Sequence, residues 1–183
     1  MARSVSRTRV VVRQSYFWPD QQLNFWMIIM LATGGTIIGV FASFLQDQQT
    51  LGLPIPWIIP YGITVGALLI VYIIVLILLI YQRRLLPGVV MIGCFILLVL
   101  FLTGLIETAI QLFGPAGNIA SNCQVFVNGN KSTGVSQATL AWLQQNSTCN
   151  SWYAVFAFWI VGAVFLTWMI VLGSMVARGQ VGE

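Results

Sequence analysis

Charge is scarce in this chain. Charged residues make up 7% of its 183 residues, against about 25% in an ordinary soluble domain. Too few polar side chains remain to cover a water-facing surface, so a soluble globular fold is excluded. Histidine is absent, which removes imidazole acid–base catalysis, histidine metal ligation and histidine pH switching. The acids number four, namely Asp20, Asp47, Glu107 and Glu183, and no two stand together as a catalytic pair. No glycine-rich phosphate loop follows a strand, and no cluster has metal-ligand spacing. The expectation is a chain with no catalytic residue, no metal, no cofactor and no nucleic-acid partner.

What is present is apolar. Hydrophobic residues reach 58% and mean hydropathy is +0.91. A helix needs about 20 apolar residues to cross roughly 30 Å of hydrocarbon. Four segments meet that requirement, at 25–45, 57–81, 89–113 and 152–176, and none holds Lys or Arg. Apolar residues surround each helix, as expected of lipid-embedded spans. Barrel strands would be near 10 residues long and alternating. The expected fold is an all-α membrane protein, a four-transmembrane-helix bundle.

Arginine sets the orientation. Arg3, Arg7, Arg9 and Arg13 precede the first span, Arg83 and Arg84 separate the second from the third, and Arg178 follows the fourth. The opposite side has Lys131 alone. Cationic residues are retained in the cytoplasm, so both termini are expected there. The aromatic residues Phe17, Trp18 and Trp26 fit an inner membrane edge, as does Tyr81, while Trp57, Tyr61, Trp152 and Tyr153 fit the outer one. Residues 1–24 then form a cytoplasmic basic arm, and 152–183 hold the last span and a short tail. A second reading remains open. Residues 1–15 carry four Arg, several Ser/Thr and no acid, a composition that also suits a mitochondrial transit peptide and a subunit of an inner-membrane complex.

Residues 114–151 form the sizeable polar segment, on the side away from the cytoplasm. It contains Cys123 and Cys149, together with the sequons Asn130-Lys131-Ser132 and Asn146-Ser147-Thr148. A cysteine pair in an oxidising compartment reads as a disulfide, closing a loop of about 25 residues with roughly 3 kcal/mol of stabilisation. Glycosylation is expected at Asn130 ahead of Asn146, which lies close to the membrane. Within this loop, residues 136–145 can form a short helix. Its Leu140–Leu143 face would cover the helix ends or dock a partner. Together these features point to the plasma membrane or the secretory pathway.

Inside the spans, Gly35, Gly39 and Ser43 recur at four-residue spacing, as do Gly62 and Gly66. Small residues at this spacing let helices approach closely, within the bundle or against another protein. Cys94 reads as a small apolar residue. Glu107 is the acid within a span, with Thr103 and Gln111 one turn to either side. An intramembrane carboxylate raises a functional question by default. Glu107 either hydrogen-bonds across the bundle, pairs with a cation of another protein, or contributes to an ion path.

The layout resembles four-span families with cytoplasmic ends and a larger second outer loop. MARVEL-type proteins, including fungal plasma-membrane members, are similar where a cysteine precedes an aromatic last span, here Cys149-Asn150-Ser151-Trp152-Tyr153-Ala154-Val155-Phe156-Ala157-Phe158-Trp159. Tetraspanins share the layout and an acid in span three, but carry Cys-Cys-Gly where this chain has Asn122-Cys123-Gln124. The MARVEL resemblance implies membrane organisation or trafficking. The functional expectation is a non-enzymatic membrane organiser, or an accessory or scaffold subunit. Its partners would be membrane lipids and either another integral membrane protein or a second copy. The alternative is a small channel or transporter subunit using Thr103, Glu107 and Gln111.

Overall fold

The computed structural model describes residues 18, 20–82, 85–115, 118–128 and 137–179. Arg3, Arg7, Arg9, Arg13, Arg83, Arg84, Asn130 and Lys131 lie outside the described residues, so the arginine pattern and the first sequon stay as sequence expectations. The described residues are almost all helical and form no strand. The elements are α1 (Asp20–Leu51), α2 (Ile58–Tyr81), α3 (Pro87–Phe113), α4 (Ile119–Cys123), a π-helical turn (Gln124–Asn128) and α5 (Gln137–Ala177). Four of these helices are long and apolar enough to cross a membrane.

Local chemistry sets the ends. Leu86 is extended and Pro87 opens α3, where its missing N–H and fixed φ cost nothing. Gly114 closes the same helix in an extended conformation, its N–H donating to Ile110 O at 2.8 Å. At the end of α1, Gly52 adopts φ +64°. Its N–H donates to Gln49 O at 3.2 Å, and that of Leu53 to Gln48 O at 3.0 Å. This is a Schellman stop, and the left-handed residue at its centre favours glycine.

Two helices outrun their apolar segments. α1 continues through the polar run 46–50 to Leu51, and α5 absorbs the expected short loop helix into one rod of 41 residues. The reason is the absence of a breaker. No Gly or Pro occurs between 137 and 161, and Asn, Ser and Thr weaken a helix without stopping it. At 1.5 Å per residue α5 is about 60 Å long, roughly twice the hydrocarbon thickness. Its excess projects from the same end of the bundle as the C-terminus of α1.

The four long helices form a ring in the order α1, α2, α3, α5, with the closest pairings α1–α2 and α3–α5 and, among the described residues, no close backbone approach across the diagonals. Lipid tails are as apolar as Leu, so close van der Waals packing holds such a ring together. Here that packing is aromatic against glycine. Phe41 of α1 covers Gly62 of α2, and Tyr72 of α2 covers Gly93 of α3. Phe101 of α3 covers Gly162 of α5, while Trp159 of α5 covers Gly104 of α3. The centre is filled by Met30, Phe41, Leu69, Phe101, Trp159 and Leu166, all buried.

Two expected membrane anchors turn inward instead. Trp26 is 1% exposed and donates from Nε1 to Phe165 O at 2.8 Å. Tyr61 likewise turns inward, donating to Leu100 O at 3.0 Å. Trp57, at 54% exposure, and Tyr81, at 88%, stand at opposite ends of α2 on the outside of the bundle.

Candidate functional site

The projecting ends of α1 and α5 do not meet over the bundle. Between them lies a half-open cavity of about 780 Å³. That volume falls within the range of small-molecule sites, about 300–1,000 Å³. Its floor is Phe44, Ile59 and Trp152. Phe44 and Trp152 stack with ring centroids 4.9 Å apart and planes 21° from parallel, and Phe41 meets Trp152 edge-on at 6.4 Å. The floor is thus the upper surface of the bundle core.

Polar side chains rise from that floor. On the α1 wall stand Gln46, Asp47, Gln48 and Thr50; the α5 wall adds Gln144, Gln145 and Thr148. Asp47 is the one charged side chain among the described lining residues. A lid closes the third side. Asn118 caps α4, its Oδ1 accepting Ser121 N–H at 2.7 Å. Trp142 of α5 donates from Nε1 to Val127 O at 2.8 Å. Cys123 and Cys149 are brought together with Cα atoms 6.0 Å apart, within the span of a disulfide. Leu51 and Pro56 line the cavity, and their chain neighbours Leu53, Ile55 and Trp57 are exposed, so an apolar segment adjoins a polar mouth.

The sequence-predicted small-residue sites divide into two kinds. Gly62 and Gly66 are buried between α1 and α2. A Cβ on Gly66 would lie 2.6 Å from Ile38 Cγ1 and 3.2 Å from Gly34 O. Gly34 therefore makes the close approach from α1. Gly35, Gly39 and Ser43 turn outward and are exposed, and nothing of this chain lies within 4 Å of a Cβ built on Gly35 or Gly39. One residue along a helix is about 100° of rotation, which separates the two faces.

Thr103, Glu107 and Gln111 lie along one flank of α3, on the side of Leu100, which accepts from Tyr61 of α2. Gln111 Nε2 donates to Glu107 Oε1 at 3.2 Å, and Thr103 donates back to Val99 O at 2.9 Å. The stripe is bonded along its own helix, and Thr103 also meets the Tyr61 hydroxyl of α2. It does not line the bundle axis, where Phe101 and Trp159 meet edge-on at 4.9 Å. Cys94 is buried, 3.4 Å from Tyr72 Oη. Asn146 sits half-buried on the continuous α5, lining a smaller recess of about 520 Å³ on the lid side of Cys149.

Sequence reasoning did not find the cavity. Asp47 reads as a lone acid in a loop and Phe44 as one more apolar residue. The available signal was the pairing of two amide-rich runs, 46–49 and 144–146, with a cysteine that fixes the second beside a lid. Compared with known proteins, the chain matches no family model, no curated protein and no solved structure.

Proposed function

We propose that this chain is a non-enzymatic four-span protein of the plasma membrane or secretory membranes that organises its surroundings by lateral association. It would act as a membrane organiser or as an accessory subunit of a larger complex, binding another integral membrane protein or a second copy. The MARVEL-like reading belongs to this proposal, supported by the four-span layout and the aromatic stretch after Cys149. Both termini lie in the cytoplasm, and the Cys123–Cys149 pair is oxidised on the far side.

A contrast among glycines carries the proposal. Gly34, Gly62, Gly66, Gly93, Gly104, Gly162 and Gly173 are each covered by atoms of a neighbouring helix, whereas Gly35 and Gly39 are not. Glycine lets another helix backbone approach closely, and α1 presents these two, with Ser43, to the lipid. Gly39→Leu fills that face and leaves the bundle interior untouched. Association is expected to fall by tenfold or more on native gels and in cross-linking within native membranes, with insertion unchanged. Unaltered association would sink the proposal.

Compartment is tested through the sequons. Glycan acceptors occupy surface loops, and Asn146 is held in a helix beside Cys149. Asn130→Gln is therefore expected to abolish an endoglycosidase-sensitive mobility shift, while Asn146→Gln leaves it in place. A chain with no glycan and a cleaved N-terminal arm would point instead to mitochondria.

A further inference from the structure

The cavity between α1 and α5 has a chemistry that lateral association does not use. Its aromatic floor is continuous with the bundle core, its walls are amide-rich, and its described formal charge is the single Asp47 carboxylate. The chain that continues from the lining residue Leu51 through Leu53, Ile55 and Trp57 is apolar and exposed. An occupant must therefore be apolar at one end and polar at the other. The carboxylate favours a cation and opposes an anion. We infer that this cavity binds a single-chain lipid with an ammonium-bearing headgroup, its tail over Phe44, Ile59 and Trp152 and its ammonium near Asp47.

Gln46, Gln48, Gln144 and Gln145 hydrogen-bond the ester and hydroxyl groups between tail and ammonium, since each amide both donates and accepts. The position at the outer end of the bundle puts the site at headgroup level, within reach of a lipid leaving the bilayer. The lid of α4 and the π-helical turn, fastened through Cys123–Cys149 and Trp142–Val127, holds the third wall in place. The site and the Gly35/Gly39 face are separate surfaces, so either reading can fail alone.

The test uses the full chain in nanodiscs. Palmitoyl lysophosphatidylcholine is compared with palmitoyl lysophosphatidylglycerol, which shares tail and phosphate but lacks the ammonium. Lipid retained per protein is read by native mass spectrometry. The choline lipid is expected to be retained about fivefold better, the scale of one solvent-accessible charge pair. Asp47→Asn, an exposed position on α1, should bring the two lipids to parity. Ala141→Trp, which fills the cavity from an exposed face of α5, should abolish retention of the choline lipid. Equal retention by the unaltered protein, or selectivity that survives Asp47→Asn, would overturn the inference. Retention unaffected by Ala141→Trp would overturn it too, by placing the lipid on the outer surface.

Discussion

Leucine at Gly104 or Gly162 is expected to cost at least about 3 kcal/mol and to prevent α3 and α5 from packing. The two helices interlock reciprocally. A Cβ on Gly104 would lie 2.6 Å from Trp159 Cζ2 and 2.7 Å from its Cη2, and a Cβ on Gly162 would run into the ring of Phe101. Both rings are buried. Overpacking in a tight core usually costs about 1–3 kcal/mol. Here even a methyl group does not fit, and the obstacle is a rigid ring rather than the end of a flexible chain. A ring forced out would also leave its own site empty, and losing a large aromatic costs about 3–5 kcal/mol. The control is Gly39→Leu, where nothing of this chain stands in the way. Unfolding by titration with dodecyl sulfate in mixed micelles should show a large drop in midpoint for Gly104→Leu and Gly162→Leu and almost none for Gly39→Leu. Equal midpoints for all three would mean that the aromatic rings do not rest on these glycines.

That contrast marks where sequence reading stops. The four spans were legible because each is an unbroken apolar run of sufficient length, and the membrane imposes that length on any chain. Their inward faces were not. Residues such as Ile28, Phe95 and Val164 are as apolar as the core but face outward, so amphipathic pattern carries no rotational information. Gly34 and Gly35 differ by one position and do opposite things. The helix ends failed for another reason. Polarity at 46–50 and 144–151 suggested water-facing loops, yet a helix stops at a breaker rather than at the water surface. Gly52 supplies that stop for α1, and for α5 none exists before the span begins. The cavity follows from those two overruns together, so it was hidden until both were known.

Severing the Cys123–Cys149 link should release the lid and leave the spans standing. The proposed disulfide would join residues 26 positions apart, and closing a loop of that size is worth roughly 3 kcal/mol on the chain-entropy model. The lid is short. α4 has five residues, too few for a helix to persist without tertiary support. Among the described residues the lid's other ties are the Asn118 cap, the hydrogen bond from Asn118 Nδ2 to Gly114 O, the Trp142–Val127 hydrogen bond and the buried Val127 side chain, each hydrogen bond worth about 1 kcal/mol. The spans depend on none of these, being held by membrane insertion and by aromatic–glycine packing. Cys149→Ser is therefore expected to raise amide hydrogen exchange across 118–128 by about a hundredfold, since 1.4 kcal/mol is tenfold and the lost term is roughly twice that. Exchange within α2 and α3 should not change, and the midpoint of span unfolding should hold. Retention of the choline lipid should fall as well, because the third wall of its cavity would no longer be fixed. A parallel loss of protection in the spans would instead make lid and bundle one cooperative unit. The lid would then brace α5 against α3, beyond closing the cavity above them.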